Sequence, residues 1–264
     1  MSGKILKSTI LFTFLFVFAA YAFAQTAKNK PFNVGETLTY EGKFSKIIKG
    51  IAVADLTFSI TNADDKGNYL IKSEAKSKGS LLKLFRYSFL QQINSTIGSE
   101  EFRVLKTVKR DVQKERIRDS EAVFDYDEKR VTYVETDPKE PTRPPRRIAS
   151  EIKEKTHDMI SGIYSLRLLP LAIGRSFEIY ISDSGLVYKI PVRVTAREQQ
   201  KTIFGKIWCF RIEPEVFGAN RLIDQEGSLI IWITDDARRL PVRAQINSDI
   251  GRVEVKLKSA AGTK

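Results

Sequence analysis

The chain has 264 residues, 42% of them hydrophobic and 29% charged, with a formal net charge of +12. Nine Pro and fifteen Gly exclude collagen-like and low-complexity chains. A single Cys excludes a disulfide framework within one chain and a Cys-rich zinc module, and a single His leaves little for a His-based metal site or a catalytic triad.

Lys4 and Lys7 precede an almost wholly apolar run from Ile10 to Ala22, and Ala22-Phe23-Ala24 places small residues just before Gln25. Basic head, apolar centre and small-residue exit read as a secretory signal peptide, residues 1–24. The run is shorter than the roughly 20 residues that span a bilayer. No Cys stands at the cleavage site, so a lipoprotein is not expected. The sequence therefore predicts a periplasmic protein with one β-rich domain over 25–264, and a possible subdivision near 138–147.

Most of that domain alternates. Leu38, Tyr40, Gly42 and Phe44 fall on one face of a strand, and Ala52, Ala54, Leu56, Phe58 and Ile60 repeat the pattern after a short turn at 46–50. Further strands are expected at Tyr69–Lys76, Tyr87–Ile97, Phe102–Val112, Arg116–Tyr126 and Arg130–Glu135. Past the proline-rich stretch Lys139–Arg147 come Phe177–Ile181, Val187–Ala196, Lys201–Ile212, Gly227–Ile233, Val242–Asn247 and Arg252–Leu257. About a dozen strands with hairpin-length connections make an antiparallel sheet that must curve, split or close. Two segments break the alternation. Ser80–Arg86 is expected to form a turn of helix. His157–Leu171 has an apolar face at helical spacing, with Thr156 or Asp158 as its cap and Pro170 and Gly174 ending it. The fold class is mainly β: a curved antiparallel sheet or half-open barrel packed around one amphipathic helix.

The candidate chemistry is thin. His157 has no second His or Cys to build a site with, and Cys209 lies in a strand without a helix N-terminus to activate it. The acidic groups at Asp64-Asp65, at Asp125, Asp127 and Glu128, and at Asp235-Asp236 sit where turns favour Asp. No catalytic motif appears, so no enzyme, metal or cofactor is expected. Lys106, Lys109 and Arg110, then Arg143, Arg146 and Arg147, are the densest basic clusters. For an exported protein an anionic envelope surface is a more available counterpart than nucleic acid. A slot between curved sheet and helix is either a filled core or a site for an apolar, lipid-like molecule. Phe85, Tyr87, Ile160, Ile163, Trp208 and Trp232 are its candidate lining. The alternative is an envelope assembly or scaffold protein that docks on another protein through a sheet edge or the basic proline loop.

Three stretches carry a resemblance: Gly35-Glu36-Thr37-Leu38-Thr39-Tyr40, the run from His157 to Arg167, and the run from Ile231 to Val242. In order and spacing the chain, from about residue 33 to 258, resembles DUF3108, an exported bacterial family of unknown function. The resemblance implies a periplasmic, mostly antiparallel β protein and assigns no activity. By looser analogy the architecture is similar to the half-open barrels around a helix of LolA-type lipoprotein carriers. His157 stands where the resemblance leads one to expect another polar residue, commonly Gln.

Overall fold

The computed structural model describes residues 30–46, 50–153 and 155–263. The expected signal peptide, and residues 47–49 of the first turn, lie outside them. Fifteen strands form one sheet: β1 (Thr37–Ser45), β2 (Ile51–Asn62), β3 (Tyr69–Ser77), β4 (Phe89–Ile97), β5 (Val104–Gln113), β6 (Arg116–Asp125), β7 (Arg130–Thr136), β8 (Arg146–Glu151), β9 (Thr156–Asp158), β10 (Ser176–Asp183), β11 (Leu186–Thr202), β12 (Gly205–Pro214), β13 (Gly227–Thr234), β14 (Pro241–Ser248) and β15 (Gly251–Ala261). Two helices are described, α1 (Gly79–Phe85) and α2 (Met159–Leu166).

The strand order runs from β8 down to β1, then β15 down to β9. First and last strands thus pair at the centre of the sheet, antiparallel, from Thr37 opposite Ala261 to Ser45 opposite Arg252. Every neighbouring pair is antiparallel except β9 with β10, where Thr156–Asp158 run parallel to Tyr180–Ser182. The two edges, β8 and β9, do not pair with one another, so the barrel-like wrap is split by a seam. The β10–β11 turn closes across it. Ser184 and Gly185 both have positive φ, 51° and 82°, as a tight two-residue hairpin turn requires. A Cβ on Gly185 would stand 2.7 Å from Tyr133 Cβ and 2.8 Å from Ile148 Cβ, so only glycine lets this turn rest on β7 and β8.

The alternation read from the sequence is the buried face of the strands. Leu38 and Tyr40 of β1, Phe58 and Ile60 of β2, and Ile71 of β3 are buried in one core with Ile97, Phe102, Val104 and Trp232. A second core gathers Ile181, Ile190, Val192, Val194, Phe210, Ile212, Ile231 and Ile233. Strand β13 serves both, with Trp232 on one side and Ile231 and Ile233 on the other. Helix α2 bridges them: Ile160 and Tyr164 belong to the first core and Leu166 to the second.

Three expectations need correction. The helix is shorter than His157–Leu171 at both ends: Thr156–Asp158 spend their backbone groups on the ladder to β10, with Asp158 and not Thr156 as the cap, and the chain tightens into three-residue turns at Arg167–Leu169, before Pro170 and Gly174 are reached. Arg146 and Arg147 belong to strand β8 rather than to the proline-rich loop. The break expected between Ala196 and Lys201 is absent. Strand β11 runs unbroken to Thr202, and the hairpin turns there because the Thr202 hydroxyl accepts from Phe204 N and donates to Gly205 O.

Candidate functional site

The space between α2 and the sheet is where a site was expected, and it is organised by two buried side chains. The first is Asp158, 4% exposed. Its backbone is extended, and its Oδ1 accepts from Ile160 N at 3.0 Å, Ser161 N at 2.7 Å and Ser161 Oγ at 2.8 Å. Ser161 Oγ also accepts from Asp158 N, which completes a capping box. Oδ2 accepts from Thr107 Oγ1 at 2.6 Å and from Ser95 Oγ. Ser95 and Thr107 face each other across β4 and β5. Five donors converge on one carboxylate with roughly four lone-pair sites, so its acceptor capacity is taken up by the fold. Asp158 bolts the start of the helix to the sheet.

The second is Arg167, the C-cap of α2. Its side chain and that of Glu36 are both fully buried. The guanidinium donates to Glu36 Oε1 at 2.5 Å and Oε2 at 2.9 Å, a two-pronged pair. It also donates to the carbonyls of Pro31 at 2.6 Å and Arg238 at 2.9 Å. Phe32 and Tyr164, packed edge-to-face on one another, lie against it with ring centroids 5.3 and 5.2 Å away. Nearby, Tyr40 Oη donates to the Pro241 carbonyl at 2.9 Å, and burial pushes the pKa of this phenol up. The three stretches singled out in the sequence therefore meet at one point. The first supplies Glu36 and Tyr40, the second Arg167, and the third the carbonyls of Arg238 and Pro241.

Beside the start of α2 lies a cleft of about 40 Å³ between the β4–β7 strands and β9–β10. Thr107, Lys109, Ser120, Tyr133, Ser182 and Asp183 are among its walls, with Lys109 Nζ 4.0 Å from Asp183. Small-molecule sites are usually about 300–1,000 Å³, so this one has room for water rather than for an acyl chain.

None of the six expected lining residues borders the cleft. Ile160 and Trp232 belong to the first core, and Ile163, partly buried, packs against it. The Trp232 indole donates to Glu198 Oε1 and carries Arg243 over its ring at 4.4 Å. Phe85 is 47% exposed at the end of α1, its ring edge-on to Phe44 at 5.4 Å. Tyr87 is half-buried near Phe89, and Trp208 is exposed with Arg197 stacked 4.5 Å from its ring. Sequence reasoning found Asp158 as a possible cap or a helper of His157 and missed Glu36 and Arg167 as a pair. Both stood inside the quoted stretches, but nothing in a sequence shows that residues so far apart share a bond.

The remaining reactive groups are withdrawn from solvent or taken up by turns. His157 is 6% exposed, and burial lowers its pKa to about 4. Cys209 is fully buried, and burial, with Asp236, Asp235 and Glu198 nearby, pushes its thiol up to about 12. Asp64 accepts from Lys66 N and Asn68 N, and Asp125 from Asp127 N and Glu128 N, the work of turn residues. Burial alone would raise the pKa of Asp236, but hydrogen bonds from Arg238 and Thr234 outweigh it and hold it below the usual range. Among the described residues no three His, Cys, Asp or Glu gather as a metal site would require, and no helix is long and apolar enough to cross a membrane.

Comparison with known proteins agrees with this architecture. The fold is similar to a β-barrel-like protein of DUF1849, a domain of unknown function, from Brucella abortus, with a TM-score of 0.57 and 8% identity over 86% of this chain and 97% of that one. A Bacteroides fragilis protein described as exported, with a YmcC-like fold, aligns over 88% of this chain and 97% of its own at 9% identity, but its TM-score of 0.33 carries no argument. No curated protein matches the sequence. The family model for DUF3108, a protein of unknown function, matches residues 37–258, from the first strand of the sheet into its last, and the chain belongs to that family.

Proposed function

We propose that this protein is an exported, non-catalytic component of the bacterial envelope that works by docking through its outer surface. The observation that carries this reading is the filled space beneath the helix. Ile160 and Tyr164 pack there among Phe32, Ile71, Ile97 and Phe102, while large apolar side chains such as Phe85 and Ile250 stand outside, 47% and 62% exposed. Nothing catalytic is presented to solvent by His157 or Cys209, and the one buried acid beside the cleft is saturated. The leader-like sequence at 1–24 supports export to the periplasm. Native mass spectrometry of protein purified gently from cells tests the reading. The expected result is the bare protein mass. A small-molecule mass retained one-to-one on the folded chain would overturn it.

A second reading has one observation in its favour, the unpaired seam between β8 and β9. If the β10–β11 turn lifts from Tyr133 and Ile148, the cleft, whose walls include Ile93, Ala122, Phe124 and Met159, deepens into the first core, and an apolar or lipid-like envelope molecule enters there. This reading predicts the retained mass that the first one excludes, and a rise in melting temperature on adding lipid.

A further inference from the structure

One end of the sheet differs from the rest in how its charges are used. Along the strands the cations are matched by acids: Lys106 with Glu121 at 2.7 Å, Arg110 with Asp119 at 3.1 Å, Lys189 with Glu178 at 2.7 Å. The basic cluster of Lys106, Lys109 and Arg110 is thus largely neutralised within the sheet. At the end where β1 and β3 finish and β4 and β15 begin, the pattern changes. Lys46, Lys83, Arg86, Lys114 and Arg252 are all exposed, and among the described residues none of the five makes an ion pair.

These cations surround apolar side chains that are exposed among the described residues. Phe85 ends helix α1 and rests edge-on against Phe44. The β14–β15 turn comes in from the other side, so close that a Cβ on Gly251 would meet the Phe44 ring at 2.8 Å. Phe44 therefore lies between Phe85 and the turn that carries Ile250, and both Phe85 and Ile250 stand well out into solvent. Lys114 reaches over the Tyr87 ring at 5.8 Å. Among the described residues the turns that hold Lys46, Lys83, Arg86 and Lys114, with the β14–β15 turn, carry only Glu115 and Asp249 as acids and so are net positive, while Asp224 and Glu226 stand in the neighbouring β12–β13 connection. Exposed aromatic and aliphatic tips ringed by unpaired Lys and Arg suit an interface with apolar material just below a layer of negative charge. Long basic stems can bury their methylenes while the charged heads meet phosphate.

We propose that this end, centred on Phe85 and Ile250, docks on an anionic phospholipid surface. The inference rests on the outer-surface reading above and names its partner. Phe85, Ile250 and the Tyr87 ring enter the headgroup region, and Lys46, Lys83, Arg86, Lys114 and Arg252 meet lipid phosphates.

Vesicle co-sedimentation of the chain as recovered from cells tests it. Vesicles of phosphatidylcholine alone are compared with vesicles in which about a third of the lipid is phosphatidylglycerol, for wild type, Phe85→Ser with Ile250→Ser, and Lys83→Glu with Arg86→Glu. The expected result is at least tenfold tighter binding to the anionic vesicles, weakened at least fivefold by the serine pair and abolished by the glutamate pair. All four substitutions are on exposed positions, so melting curves should coincide, and a variant that melts early is replaced by the single substitution at Phe85 or Lys83. Equal binding to both vesicle types, or unchanged binding by the glutamate pair, overturns the proposal. So does binding to neither vesicle while a cross-linker placed at Phe85 traps one envelope protein in cells, which leaves the docking reading intact and changes its partner. Native mass spectrometry of the same preparation separates these outcomes from failure of the docking reading itself.

Discussion

Replacing Arg167 with Met should be among the most damaging single changes in this protein. The substitution keeps the length and packing of the side chain but removes its charge. Glu36 is then a carboxylate with no exposure and no cation, and the carbonyls of Pro31 and Arg238 lose their donor. Breaking a buried ion pair from one side costs about 3–5 kcal/mol, since the partner charge is left without compensation. For a folded unit of this size each kcal/mol lowers the melting temperature by about 2–4 °C, so the midpoint should fall by about 6–20 °C. Removing both charges, as Glu36→Leu with Arg167→Met, should recover most of that loss, because an apolar pair of similar volume is nearly neutral. Circular dichroism melts and urea titrations of the two single variants and the double variant measure the coupling. A loss below about 1 kcal/mol for Arg167→Met, or a double variant as unstable as the two singles added together, would refute the assignment of this pair as the point that ties helix, first strand and β13–β14 turn together.

Other substitutions probe the remaining parts. His157 is held neutral by burial, with a folded pKa of about 4 against an unfolded value near 6.5, so below pH 6.5 the unfolded chain binds the extra proton. Stability should be full above pH 6.5 and decline by about 3 kcal/mol as pH falls to 4, and His157→Gln should flatten that part of a stability-against-pH curve. Asp158→Ala removes a helix cap and leaves the Ser95 and Thr107 hydroxyls without their acceptor, which should cost about 2–4 kcal/mol in urea titrations, with Asn recovering the cap share. Gly185→Ala forces a side chain between the turn and Tyr133 and Ile148 at a positive φ, and hydrogen exchange should show faster opening in β8 and β10 than in β1 or β15.

Much of the sheet was legible because half-buried strands write their burial into alternate residues, as Leu38, Tyr40, Phe58 and Ile60 do. What escaped had weaker or competing local signals. Strand β8, Arg-Arg-Ile-Ala-Ser-Glu, is an exposed edge with little apolar face to announce it. Strand β9 is three residues long, and its apolar neighbours at helical spacing point to a longer α2 than the ladder to β10 allows. The site was the least legible part. Aromatic content alone does not distinguish Trp232, buried in the core, from Trp208 on the outer face, because both sit in alternating strands whose inward side depends on neighbours far away in sequence. The Glu36–Arg167 pair was invisible for the same reason.

The adjacency of β1 and β15 sets a timetable for assembly. Strands β1 to β8 can zip outward from one another as they emerge, but the inner edge of β1 has no mate until residues 251–261 have been delivered. Until then a nascent or translocating chain exposes an open strand edge, the kind of surface that recruits a neighbour's strand. The molecule is therefore sealed by its own tail, and a truncation of only that last strand should yield an aggregating half-product rather than a smaller folded one.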